Sequence, residues 1–430
     1  MKDNHPSAHA LIPGGAHTYS KGDDQFPANA PQHLERGDGA HVWDDTGARF
    51  LDWTMGLRTM TLGYGNRTVI DAAVAQIEKG SNFGRPSRIE MEAAEDLLDL
   101  IPSAEMVKFA KNGSTVTSAA VKLSRAYTGR EKVAICKDHP FFSYDDWFIG
   151  TTPSDGGIPA TDRHLSLIFR YNDIESLERI FTQHPGQVAC VIMEAATHEE
   201  PRDDFLLKVQ TLCRQEGAVF VVDEMITGFR WHLNGAQTMY GIEPDLSTFG
   251  KGIANGFSVS ALIGRREIME LGGIFHDQKR VFLISTTHGA ENHGLAALRA
   301  ALAVYRDENV IGHLWSAGEK LIAGLNEAAR EQGLQDNFRA FGFPCSPYFS
   351  CRDANGDESL ALRTLFLQEM VSNGVLMNYI SPSFAHGDPE VARTVEAARA
   401  SLVVFGRALE EGHDKLLNGP PIKPVFRPYN

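Results

Sequence analysis

The stretch PDLSTFGKGIANGF, residues 244–257, sets one lysine, Lys251, between an apolar strand-like run and a glycine-rich loop. A second apolar run, GAVFVVDE at 217–224, carries Asp223 at its end, 28 positions before the lysine. That interval leaves room for a turn, a short helix and one more strand. Both side chains are therefore expected at the carboxyl ends of neighbouring strands, facing one crevice. Lys251 is read as the nucleophile of the chain.

A lysine amine and a carboxylate in one crevice are what pyridoxal phosphate (PLP) chemistry requires. The amine forms a Schiff base with the cofactor aldehyde, and the carboxylate pairs with the protonated ring nitrogen so that the ring withdraws electrons. Taken singly, each residue reads equally as a solvated lysine or a strand-end cap. The other motifs decide between these readings.

The bulk numbers exclude several classes. At 430 residues the chain is long enough for a large domain with a smaller one. It is 43% hydrophobic and 22% charged, as ordinary globular proteins are. A net charge of −14 without a lysine- or arginine-rich block argues against nucleic acid or anionic membrane as a partner. Five scattered cysteines lack CxxC spacing and read as buried free thiols, and no metal site is suggested. The start, MKDNHPSAHALIPGG, has neither the basic head nor the apolar stretch of a signal peptide, so a cytoplasmic protein is expected.

Along the chain, AHVWDDTGARFLDW reads as strand material. From Asn66 to Gly80 the apolar residues Val69, Ile70, Ala73, Val74 and Ile77 recur at helical spacing. Strands and helices then alternate to about residue 300. GQVACVIME (186–194) is apolar throughout, as strands buried on both faces of a parallel sheet are, and SVSALIGR (258–265) reads as one more strand. Beyond residue 310 come a long amphipathic helix, short strands around FGFPCSPYFSC, and helices near 359–373 and 388–411. The expected class is α/β: a large domain over 61–310 with a mostly parallel sheet flanked by helices, and a small α+β domain over 311–430. The segment 1–60 is expected to pack with the small domain.

Three further motifs fit around the lysine. In KNGSTVTSAAVKLSRAYTGR, the residues Gly113, Ser114 and Thr115 open a helix with a buried stripe of Val116, Ala119, Ala120, Leu123, Ala126 and Tyr127. Free amides at a helix start suit a phosphate, although a plain N-cap is the competing reading. HPFFSYDDWF (139–148) packs five aromatics into ten residues, so Phe141 or Phe142 is placed to stack on a flat ring, or simply to form a hydrophobic lid. STTHGAENHG (285–294) is another hydroxyl and glycine loop before a helix, with Thr287 a second phosphate donor or again a cap.

Together, IPGGAHTYSKG at 12–22, DEMITGFR at 223–230, PDLSTFGKGIANGF, IGRREIM at 263–269 and SFAHGD at 383–388 resemble the class III, fold type I PLP aminotransferases, in their glutamate-1-semialdehyde aminomutase branch. The resemblance covers nearly the whole chain. It implies a fold type I transferase with a seven-stranded-type sheet, and it implies roles for particular residues. Lys251 resembles the Schiff-base lysine and Asp223 the pyridinium partner. Gly113 and Ser114 resemble the phosphate cup, with Thr115 adding to it. Phe141 falls where the family stacks a tyrosine, Met225 packs on the opposite ring face, and Glu194 matches a structural glutamate. Thr287 resembles the threonine that reaches the neighbouring subunit's cofactor phosphate, which implies a homodimer with shared sites.

This sequence departs from the family on the substrate side. Thr18-Tyr19-Ser20-Lys21 stands where the aminomutases have an SPVR-like loop, and Leu57 beside Arg58 stands where they have a tryptophan. Asn378 stands near their carboxyl-terminal acidic residue, and Thr115 replaces the cup's usual acid. Tyr19, Lys21, Arg58, His288 and Asn378 are the substrate candidates. The reading is an aminotransferase that moves an amino group from an amino-acid donor to the carbonyl of a small, hydroxylated or sugar-like acceptor by a ping-pong course. The alternative is an intramolecular aminomutase.

Overall fold

The computed structural model describes residues 8–139 and 141–429. The chain divides into two compact units. One runs up to Leu57, takes in Gly63–Gly65 and resumes over His313–Arg427; the other holds Arg58–Leu62 and Asn66–Gly312.

The second unit is built on a seven-stranded sheet: β1 Met106–Ala110, β2 Lys132–Cys136, β3 Ser166–Phe169, β4 Val188–Met193, β5 Val219–Glu224, β6 Leu246–Phe249 and β7 Ser260–Gly264. Across the sheet they lie in the order β1-β7-β6-β5-β4-β2-β3. Strands β2 to β6 are mutually parallel. Every residue of β4 and β5 is buried, as helices on both faces of a parallel sheet require.

One strand breaks the alternation. SVSALIGR forms β7, antiparallel to both β1 and β6. The reason is chain length: only residues 250–259 separate β6 from β7, fewer than a parallel crossover needs.

The helix Gly113–Thr128 starts on Asn112, whose side chain accepts from the Thr115 amide, and stops at Gly129 in the left-handed conformation at φ 68°. Val116, Ala119, Ala120 and Leu123 are buried as expected, but Ala126 and Tyr127 are not: the stripe ends a turn early, and the Tyr127 hydroxyl donates to Glu267 at 3.0 Å. In the helix Arg67–Lys79, Val69 and Ala73 are buried, whereas Val74 and Ile77 remain about half exposed. Periodicity marks which residues share a face, not what covers it.

The other unit holds the strands Leu34–Asp38, His41–Asp44 and Arg49–Asp52 in antiparallel succession, with Val375–Leu376 parallel to the last of them. A hairpin of Phe338–Phe343 and Ser346–Cys351 and the helices Leu360–Ser372 and Asp388–Glu411 complete it. Its core gathers Trp53, Phe338, Phe349, Phe366, Leu402 and Phe405. Trp53 stacks on His386 with centroids 3.9 Å apart, and its indole N–H donates to Thr394 at 2.7 Å. Burying an indole N–H without a partner costs free energy, and this bond removes that cost. All five cysteines are buried and outside any disulfide.

Candidate active site

The carboxyl ends of β4, β5 and β6 deliver Glu194, Asp223 and Lys251 to one place. Asp223 closes the apolar run of β5 and pairs in register with Thr248 of β6, three residues before the lysine. Its carboxylate accepts from the Thr248 hydroxyl at 2.9 Å and from the Met225 amide at 2.9 Å. Only 1% of Asp223 is exposed. Burial raises its pKa, and the charge of Lys251 pulls it back. Burial in turn lowers the lysine pKa, with Asp223 and Glu194 opposing the shift and Arg58 and Arg230 adding to it. A lysine so placed gives up its proton more readily than a surface lysine does, which favours a nucleophilic amine.

Lys251 stands at φ 46°, a left-handed conformation rare for a residue with a side chain. Asn255 follows at φ 44°, and Gly256 at φ 97°. The lysine turn therefore coils tightly, and its glycines allow close approaches. A Cβ on Gly252 would lie 2.5 Å from the Thr61 hydroxyl oxygen, and one on Gly256 2.5 Å from Met60 Sδ.

Met225 links the lysine turn to the helix start. Its sulfur would meet a Cβ on Gly250 at 2.5 Å and one on Gly113 at 3.0 Å. Gly113 and Gly250 thus face each other across one thioether, beside the first turn of the Gly113–Thr128 helix. Thr115 turns both its amide and its hydroxyl to Asn112 Oδ1, at 3.0 and 3.1 Å, so its side chain serves the cap. Ser114 is buried, and its Oγ accepts from the Tyr144 amide at 3.1 Å, a bond that does not use its own proton. The amides of a helix's first turn have no acceptor within the helix and are suited to an anion.

Glu194 is 2% exposed, and one of its oxygens, Oε2, is buried without a partner. Burial and the neighbouring Asp223 charge push its pKa up, against Lys251 and Arg58. Its amide donates to Nδ1 of the buried His139 at 2.9 Å. The glycine cradle around Met225, the buried carboxylate, the lysine and the helix amides fit a flat ring bearing a nitrogen, an aldehyde and a phosphate.

Segment 58–62 borders the same turn. The Leu62 amide donates to Asn255 Oδ1 at 2.8 Å, and the Thr61 hydroxyl accepts from Arg230 at 3.0 Å. Just before it, Met55, Gly56, Leu57 and Arg58 stand at φ 46°, 58°, 60° and 71°. Left-handed backbone costs roughly 1–2 kcal/mol for each residue with a Cβ. Arg58, at the end of this turn, is 9% exposed.

The remaining sequence candidates are spread more widely. Phe141 is 43% exposed and sets its ring edge on Phe148, with centroids 5.6 Å apart, while Phe142 is core. Thr287 is exposed, its carbonyl accepting from Asn82 at 3.0 Å, and His288 approaches Glu291 at 3.4 Å. Tyr19, Lys21 and Asn378 belong to the other unit. There Tyr19 is 66% exposed, Lys21 lies in the short turn Tyr19–Lys21, and Asn378 is buried with its amide donating to the Gln25 carbonyl. Thr248, Asn255, Arg230, Thr61 and His139 escaped the sequence reading. Thr248 alone left a signal, being the hydroxyl three residues before the lysine on a strand beside β5.

The model of the family "Aminotransferase class-III" matches residues 24–152 and 151–389. The glutamate-1-semialdehyde 2,1-aminomutase of Francisella philomiragia is 30% identical over 414 residues, covering 89% of this chain and 93% of its own. The 3-aminobutyryl-CoA aminotransferase of Cloacimonas acidaminovorans is also 30% identical, covering 94% and 96%. Among solved structures, the PLP-bearing FumI protein of Sphingopyxis sp. MTA144 superposes with a TM-score of 0.86 at 28% identity, over 95% of this chain and 97% of that one. An omega-transaminase from Sphaerobacter thermophilus gives 0.83 at 25%, over 93% and 96%.

Proposed function

Because the chain belongs to the class III aminotransferases, which are PLP enzymes of fold type I, we propose that it transfers an amino group from an amino-acid donor to the aldehyde or ketone of a small, hydroxylated or sugar-like acceptor. The observation that carries this reading is the convergence of Lys251 and Asp223 on one buried site beside the Gly113 helix start. Bound there, the cofactor supplies an aldehyde that takes up the amino group and a ring that accepts electrons from the adjoining carbon.

The protein does the rest. The Lys251 amine would hold the cofactor and, when free of it, would take the proton from the substrate carbon. Asp223 keeps the proton on the ring nitrogen. The Gly113 and Ser114 amides, with Thr115 beside them, hold the phosphate. Met225 and Phe141 cover the two ring faces, and Glu194 is structural. Donor and acceptor use the site in turn, so the kinetics are ping-pong. Tyr19, Lys21, Arg58, His288 and Asn378 are assigned to the substrate.

Thr287, exposed in one chain, is assigned to the neighbouring subunit's phosphate, which makes the working form a homodimer. The exposed apolar residues Ile274, Phe275 and Phe282 on the stretch leading to Thr287 support that reading. Five buried free thiols fit a reducing compartment such as the cytoplasm.

Borohydride reduction followed by peptide mapping tests the assignment: the cofactor should be fixed on Lys251, and label on another lysine would overturn it. An intramolecular aminomutase is the second reading, favoured by the aminomutase named above at 30% identity. An ¹⁵N-labelled donor separates the two. Label recovered in a separate acceptor supports the transferase, whereas isomerisation of glutamate semialdehyde with no second substrate supports the mutase.

A further inference from the structure

Arg58, one of the substrate candidates, stands on a segment held to the lysine turn. Three consecutive residues fasten its segment to the lysine turn: Met60 lies over Gly256, Thr61 against Gly252 and Arg230, and the Leu62 amide on Asn255. The left-handed turn Met55–Arg58 brings the chain into that segment, with glycine at only one of its four positions. Strain of this kind persists where the surroundings hold a side chain in a needed place.

The charges around Lys251 give that side chain its use. The buried ionisable residues acting on the lysine are Asp223, Glu194, Arg58 and Arg230. Burial raises the pKa of both carboxylates, Asp223 to about 6 and Glu194 to about 8, so their charge varies with pH. Arginine has no such escape, because guanidinium does not give up its proton in proteins. The charge near the lysine that does not vary with pH is therefore positive. Arg230 is 2% exposed and donates to Thr61, whereas Arg58, at 9%, is the more open of the two.

We propose that Arg58 is the specificity residue that receives a carboxylate of the substrate at the Lys251 site, so that the enzyme takes carboxylate-bearing amines in preference to uncharged ones. This rests on the aminotransferase reading above and names the class of its donor. A guanidinium grips a carboxylate through two parallel bonds, which also fixes the direction in which the amine meets the lysine site.

The experiment uses the holoenzyme and two variants, Arg58→Met and Arg58→Lys, with fold and cofactor content checked by circular dichroism and absorbance. Calorimetry with glutarate, which has no amino group to react, reads binding without turnover. Arg58→Met should weaken glutarate about 100-fold, and Arg58→Lys, which keeps the charge but not the fork, about tenfold. In the half-reaction, Arg58→Met should lose about 100-fold in kcat/KM with L-glutamate, chiefly through KM, and at least about tenfold less than that with isopropylamine, whose loss reads the changed charge at Lys251 alone. Unchanged glutarate affinity in both variants overturns the proposal, as does an equal loss with both amines. If wild-type enzyme aminates nothing from either donor, the aminotransferase reading fails, while the glutarate titration still decides the role of Arg58.

Discussion

Asp223 and Lys251 settle their charges by mutual arrangement. The carboxylate is held by Thr248 and the Met225 amide and kept partly ionised by the lysine, so a protonated ring nitrogen brought beside it would meet an anion. Asp223→Asn keeps the size and the Thr248 bond but removes that anion. Hydrogen bonds to a charged group are worth about 1.5–3 kcal/mol, so kcat/KM of the half-reaction should fall by roughly 10²-fold, and near-normal turnover would show that another group supplies the charge. Lys251→Ala should still bind PLP without a covalent bond, yet lose roughly 10³-fold or more in turnover, since both the covalent link and the proton carrier are gone. Absorbance of the bound cofactor and single-turnover kinetics read the two effects separately.

At the scale of the element, the lysine turn and the strand ends act as small rigid clamps. Asn255 tolerates its left-handed backbone and accepts from the Leu62 amide. Asn255→Gly keeps the first property and loses the second, and should cost about 1–2 kcal/mol. Asn255→Ala loses both and should cost about 1 kcal/mol more. Equal denaturant midpoints for the two variants would show that the backbone conformation imposes no strain. His139 clamps the end of β4 by accepting from the Glu194 amide while buried and neutral; burial lowers its pKa to about 3. A histidine whose folded pKa is depressed contributes stability present above its unfolded value near 6.5 and lost as pH falls toward 3. The melting temperature of wild type should therefore fall more steeply between pH 6.5 and 4 than that of His139→Gln; parallel curves would remove His139 from the acid response.

The whole molecule poses the question of assembly. Ile274, Phe275 and Phe282 are 68%, 86% and 76% exposed on a single chain, beside the loop assigned to a neighbour's phosphate. Sedimentation should give a particle near twice 47.3 kDa. Thr287→Ala should leave that mass unchanged while weakening PLP binding, and a fully active monomer would contradict the shared site. Much of this scale was open to reading in advance. The apolar runs of β4 and β5, the helix stop at Gly129 and the helices after residue 310 are local in origin, so composition and spacing reveal them, whereas the N-cap proved to be Asn112 rather than the Ser or Thr after it. The exposed sides of Val74, Ile77 and Tyr127 were not legible, because what covers a face depends on neighbours distant in sequence.

The sequence by itself determined the chemistry of the chain. A strand ending in Asp223, a glycine-flanked lysine 28 positions on and a Gly-Ser-Thr helix start mark the chain as an α/β protein of the PLP aminotransferase family, since each depends on residue type and short-range spacing. Tertiary structure alone decided the surroundings. It aligned Thr248 with Asp223, wedged Met225 between Gly113 and Gly250, turned β7 antiparallel and fastened the Arg58 segment to the lysine turn. Strand register, close approach at glycine and the burial that shifts a pKa all come from contacts between residues far apart in the chain, and no local pattern records them.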